Sequence, residues 1–356
     1  MKNVIRVAGA YVGIIIGAGF ASGQEIVQYF ASFGLWGIMG TLVTTIFFPI
    51  FGYQFIKLGQ RLQVPSHKKT IYYLCGKYLG PVLDIALTLF LFGFGVVMIA
   101  GSGSLFEQQF AISPVVGYVL MIVLVALTMF LNTANVTSVI GYITPYMVAL
   151  TLIVVVYSLL ISDFNFNELD IIARDQISAG PHWLVSSVNY VALCYAISMA
   201  MMIVIGATEE DKKSARLGGI VGGIIVGLMV VILNLALYAN IDQLQGTDMP
   251  TLALATEISP ILGTFMAIGF LGMIFNTAVA MFYSFTARFV QTGTPKFKGV
   301  VVVVLLLAFP LGFVGFVDLV NTLFPLIGYV GFVLVIALFI SMFRPMKQTS
   351  PVDKQM

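Results

Sequence analysis

Long, uninterrupted apolar stretches constrain this chain more than any single motif in it. About 20 apolar residues in helical form cross a bilayer core, where only helices and closed barrels satisfy their own backbone. Cutting the chain at charged and turn-rich points leaves ten such stretches, at roughly 4–31, 34–59, 80–106, 114–133, 136–161, 182–207, 214–240, 261–290, 298–316 and 318–343. With 60% hydrophobic and 9% charged residues, a soluble enzyme is excluded and an all-α polytopic membrane protein is expected. Lys2 and Arg6 ahead of a short apolar run imitate a secretory leader. The apolar segment nevertheless continues to Phe30 and many further spans follow it, so it is read as a membrane helix.

Basic residues orient the spans. With the N-terminus in the cytoplasm, Arg174 alone among the 17 Lys and Arg residues falls outside, which is the asymmetry of the positive-inside rule. Both termini are then cytoplasmic, and Trp36 and Trp183 fall at outer helix ends, where indoles prefer to sit. The polar stretch 162–181 is an extracellular connection between a first repeat, 1–161, and a second, 182–343, with a cytoplasmic tail at 344–356. Each half holds five spans. Five is odd, so the second half enters the membrane in the opposite sense, the condition for an inverted repeat. Residues 58–79 read as a short interfacial helix with its connections, and 248–257 as a short helix before the eighth span.

The first span is interrupted. Gly17, Gly19 and Gly23 let the chain leave helical geometry within the bilayer. Ser22 and Glu25 have the S-x-x-E spacing of a capping box, which would restart the helix and leave amides near a water-filled cavity. Such an end suits a small anion or carboxylate.

The run Gly13-Ile14-Ile15-Ile16-Gly17-Ala18-Gly19-Phe20 resembles the first-helix signature G-x-x-I-G-x-G-[IF] of the amino acid–polyamine–organocation transporter superfamily. The following Ala21-Ser22-Gly23-Gln24-Glu25 resembles its YkvI-type branch of bacterial membrane proteins. The resemblance implies the LeuT fold: a 5+5 inverted repeat with discontinuous helices 1 and 6, in a bacterial inner membrane. It implies a substrate site walled by Gly17, Ala18, Gly19, Phe20, Ala21, Ser22 and Gly23. A sodium site would use carbonyls of Gly13 and Ile16 facing Asn276 and Thr277, oxygen donors suited to a hard cation. Span six lacks a central glycine or proline, and its unwinding is expected around residues 188–198, where Tyr195 and Ser198 would recover freed backbone groups and complete the substrate site. Val136–Ile161 contains no basic residue, unlike proton-coupled relatives that place a lysine there, which favours sodium.

Other polar residues have plainer accounts. Glu25 is a coupling group or substrate contact by position, yet capping suffices for it. Asp84 and Asp318 fall near helix ends, where solvation or capping accounts for them, and His67 and His182 fall at interfaces. The glycines at 218–223 and most of those at 93–103 provide small-residue helix contacts. Asn276, alone in an apolar run, needs either an ion or an interhelical hydrogen bond. Cys75 and Cys194 lie too differently to form a disulfide. No nucleophile–base constellation, metal cluster or phosphate loop occurs, so no catalysis, cofactor or nucleic-acid partner is expected. The reading is a sodium-coupled secondary transporter of a small amino acid or related zwitterionic solute, partnered by that solute and lipid. A transport-inactive sensor and a proton-coupled carrier are the alternatives.

Overall fold

A computed structural model describes residues 1–62, 67–130, 136–162 and 166–343, and among these every regular element is helical. The expected tail 344–356 and part of the 162–181 connection lie outside the described residues. The first span is α1 (Lys2–Ile15), α2 (Ala18–Ser22) and α3 (Gln24–Tyr29). There follow α4 (Leu35–Leu62), α5 (His67–Phe110), α6 (Pro114–Phe130), α7 (Val136–Ile161) and α8 (Phe166–Arg174). The second half contains α9 (Trp183–Thr208), α10 (Lys212–Ala239), α11 (Pro250–Ile258), α12 (Pro260–Thr286), α13 (Pro295–Leu311) and α14 (Phe316–Phe343).

Seven of the described helices are long and apolar enough to cross a membrane, or eight when bent α9 counts as one span; the protein is a multi-pass membrane protein. The other two expected spans are shorter. The break stops α1 after 14 residues, and α6 has 17 described residues, about 25 Å at 1.5 Å per residue. The expected short helix before the eighth span is α11. Residues 58–79 include the expected short helix: α4 runs to Leu62, and the stretch from His67 is set off from the rest of α5 by a break at Gly76, non-helical at φ 72° and ψ −172°. The 162–181 connection contains an amphipathic helix, α8, held by the Arg174–Asp170 pair at 2.7 Å.

Helix packing forms two groups. In one, α10 lies against α4 and α1, and α4 against α9; in the other, α5 lies against α12 and α6, α12 against α7, and α13 against α6. The last helix, α14, touches both groups through α9 and α5. Small residues permit the closest approaches: the backbones of Gly52 and Gly219 face each other directly, as the glycines at 218–223 led us to expect. Along 93–103, Gly95 accommodates Phe282 and Gly103 accommodates Tyr118, so these glycines serve packing.

The ends of the helices sort onto two faces. One carries the pairs Arg6–Glu209 at 2.6 Å and Arg288–Asp84 at 2.7 Å, together with the Arg216–Gln60 hydrogen bond at 2.7 Å. The Asp84 partner was missed by a reading that gave it only a helix end. The opposite face carries Trp36 stacked on Trp183, ring centroids 5.6 Å apart. There His182 caps α9, its Nδ1 accepting from the Leu184 amide at 3.3 Å.

Asp211 caps α10, its carboxylate accepting from the Ser214 amide at 3.0 Å. Hydrogen bonds from Ser214 hold its carboxyl below the ordinary aspartate range. Asp211→Ala is expected to lower the thermal unfolding midpoint slightly in detergent, whereas Asp211→Asn retains a cap acceptor and most of the wild-type value. Equal midpoints for the two variants would deny the cap any role.

Candidate functional site

The break in the first span organises the site. After Ile15 the chain turns through Ile16 (φ −79°, ψ 77°) and extended Gly17 (φ −93°, ψ −172°) before α2 begins. The Gly17 amide is diverted to the Ile15 carbonyl at 2.9 Å. As a result the carbonyls of Gly13, Ile14 and Ile16, and the N–H groups of Ala18, Gly19 and Phe20, make no backbone hydrogen bond among the described residues. Unpaired peptide groups cost several kcal/mol each in lipid, so such a break belongs beside a polar cavity.

The expected capping box is absent. Gly23 in the left-handed region (φ 82°) joins α2 to α3 and is itself the N-cap, with no side-chain cap. Ser22 finishes α2 instead: its hydroxyl donates to the Gly19 carbonyl at 2.7 Å and accepts from the Gln24 amide at 3.2 Å. Glu25 is thereby released from capping. Its carboxylate lies over Gly19, in the space that a β-carbon there would occupy.

A cavity of about 160 Å³ opens at the break. Gly13, Ile16, Gly17, Ala18, Gly19, Glu25, Asn276 and Thr277 all line it, so these sequence-selected residues share one site. Neither Asn276 nor Thr277 makes a side-chain hydrogen bond to another described residue. Phe20, Ala21, Ser22 and Gly23 do not line the cavity; they are buried in α2 and its joint. The Ala21 carbonyl is occupied by the Thr251 hydroxyl of α11.

Span six departs further from expectation. Residues 188–198 stay helical, and the bend of 48° comes later, between Trp183–Met199 and Met201–Thr208. With no freed backbone there to recover, Tyr195 and Ser198 have other partners. The Tyr195 hydroxyl donates to the Leu334 carbonyl at 3.4 Å, its ring packs on Phe55 with centroids 4.7 Å apart, and Ser198 donates to the Cys194 carbonyl at 2.7 Å. Helical rotation turns Leu193, Cys194 and Ile197 toward the cavity instead. On α12 the spacing Met273, Asn276, Thr277, Ala280, Met281 is one helical face. Applying that spacing to Asn276 and Thr277 would have found Met273, Ala280 and Met281 as well.

Access is one-sided. A vestibule of about 510 Å³ shares Phe94, Ile197 and Met281 with the cavity and includes Arg288, on the face that carries the basic pairs. Toward the other face α2 and α3 are buried throughout. There Gln28 donates to the Val317 carbonyl at 3.2 Å, the Tyr29 hydroxyl to Asn189 at 3.2 Å, and Asn189 to the Pro325 carbonyl at 3.1 Å. Ser104 donates to Asp248 at 2.5 Å and Gln108 brackets the Met249 backbone at 3.0 Å, fixing α11 over α2. The chain is similar to a manganese transporter from Eremococcus coleocola crystallised with an aromatic bis-isothiourea substituted compound (TM-score 0.57, 14% identity, 96% of this chain and 77% of that one). A point mutant of that transporter is also similar (TM-score 0.59, 16% identity, 96% and 78% covered). The fold is that of these membrane transporters. By sequence the chain is 26% identical over 334 residues to an uncharacterized membrane protein of Bacillus subtilis, YkvI, across 91% of each chain. It is 25% identical over 331 residues to the uncharacterized protein YyaD of the same organism, across 92% of this chain and 94% of that one. No family model matches the chain.

Proposed function

We propose that this protein is a secondary transporter which moves a small amino acid or related zwitterionic, nitrogenous solute by alternating access, coupled to sodium. The observation that carries this reading is the set of unpaired peptide groups at the first-span break, facing a cavity reached from one face only. Free amides at Ala18 and Gly19 suit a carboxylate. The carbonyls of Gly13 and Ile16, with Asn276 and Thr277, give the oxygen-only donor set that a hard cation takes. The two helix groups are the bodies that would move against each other, and the basic face is read as cytoplasmic.

The 5+5 inverted repeat belongs to the same proposal and draws support from which helices touch. Exchanging first-half for second-half spans in order turns the α1–α10 contact into α9–α4, α5–α14 into α12–α7, and α5–α6 into α12–α13. All of these contacts exist. A pseudo-two-fold relation between the halves requires that pattern.

The test is counterflow in proteoliposomes with labelled glycine, alanine, ethanolamine and manganese, in sodium or in potassium. Sodium-stimulated exchange of an organic solute is expected. Binding without flux would select the sensor reading, and proton-driven, sodium-indifferent flux the proton-coupled one. Manganese flux is the second reading, favoured by the fold likeness; against it, no group of three or more His, Cys, Asp and Glu residues suited to a metal occurs among the described residues. Asn276→Leu is expected to remove sodium stimulation while leaving the thermal midpoint near wild type, since its amide has no described partner to lose. Undiminished sodium stimulation in that variant would move the ion elsewhere.

A further inference from the structure

Among the described residues Glu25 contributes the one carboxylate to the cavity wall, and no lysine, arginine or histidine lines that wall. Within the described residues the ion pairs join Arg6 to Glu209, Arg174 to Asp170 and Arg288 to Asp84, so none neutralises Glu25. The Tyr190 hydroxyl lies beside the carboxylate and brings no positive charge to it. An ionised carboxylate removed from bulk water is costly unless a positive charge joins it. With no cation built into the wall, either a proton or a cation entering through the cavity has to supply that charge. Gly19 makes room for it: any side chain at that position would displace the carboxylate.

The surroundings bear on which cation is accepted. The rings of Phe94 and Phe324 line the same cavity, centroids 4.9 Å apart, and Phe324 reaches the Gly19 flank where the carboxylate sits. Aromatic surface next to a carboxylate favours an organic ammonium, whose methylene or methyl groups and spread charge suit ring faces. Sodium or manganese would instead need several further oxygen ligands at that point. From this geometry we infer that Glu25 is the cation-recognition residue of the site and that the solute carries an ammonium group, with Gly19 as the residue that positions the carboxylate. This rests on the substrate cavity of the proposed transporter, but not on its transport cycle.

The experiment measures binding by the full-length protein in nanodiscs, using probes of matched size: alanine and ethylamine, which carry ammonium, and propionate, which does not. Wild type is expected to bind alanine and ethylamine and to reject propionate. Glu25→Gln keeps the shape and should weaken both ammonium probes by about tenfold or more. Gly19→Ala should weaken them as well, although the carboxylate is still present, and this second variant serves if the first does not fold. Wild-type affinity for alanine and ethylamine in both variants would overturn the inference. So would a wild type that binds neither ammonium probe, or one that prefers propionate. Unchanged ammonium binding in Glu25→Gln with loss of proton-driven uptake would make the residue a proton carrier instead, also overturning it. Ammonium binding that depends on Glu25 without flux in vesicles would sink the transporter reading and leave this inference standing.

Discussion

Gly19→Leu should leave a folded protein with no measurable solute binding, the largest functional loss expected of any single substitution in the chain. A β-carbon at this position would meet the Glu25 carboxylate and the Phe324 ring. Both are side chains, which yield more readily than backbone. The rest of a leucine would extend into a cavity of only about 160 Å³. Gly19 lies in the short helix α2 and needs no left-handed backbone, so the substitution brings no conformational strain. Gly23 makes the contrast. Its φ of 82° and its contacts with Thr251 and Leu237 mean that a side chain there is strained and crowded together, and Gly23→Leu should lower the yield of folded protein. Thermal unfolding with and without the best solute from the counterflow panel separates the two: Gly19→Leu keeps the midpoint and loses the solute-induced shift. A solute shift of wild-type size in Gly19→Leu would place the binding site away from the break.

The break was legible because glycines at 17, 19 and 23 amid apolar residues leave few other readings, and Asn276 and Thr277 stood out as polar residues in an apolar run. What the backbone does after the break was less legible. S-x-x-E spacing also fits a short helix closed by its serine, and only the left-handed turn at Gly23 decides between the two. Span six was assigned an opening by resemblance; its own residues, without glycine or proline, favour the continuous helix through 188–198 that the structure has. The Arg288–Asp84 pair was out of reach for a different reason. It joins residues 204 apart in sequence, and no local pattern encodes that. The amphipathic α8 could have been found from the three-residue spacing of Phe166, Leu169 and Ile172, had the stretch not been read as a connection.

The largest loss of stability is expected at Gly223. Gly218 and Gly222 lie one turn apart on the side of α10 that meets α1, against Val7 and Ala8; Gly219 and Gly223 lie on the side that meets α4. One helix thus presents two smooth faces to two neighbours. On the α4 side the neighbour is backbone: a β-carbon on Gly223 would press into the peptide between Phe48 and Pro49. Backbone cannot step aside as a side chain can, and Pro49 lies inside α4. Relief then requires α4 and α10 to separate, which gives up the dispersion contacts that hold helices together in lipid. Gly223→Leu should therefore cost about 3 kcal/mol or more, seen as loss of the monodisperse peak and a strongly lowered midpoint in detergent. Gly9→Leu is the matched control, since an added β-carbon there meets nothing within 4 Å; it should be neutral. Gly218→Ala falls between them, because it presses on the Val7 side chain and the Val4 carbonyl of α1. A Gly223→Leu protein that purifies and melts like wild type would mean that α4 and α10 are not packed this closely, and the division into two helix groups would lose its firmest contact.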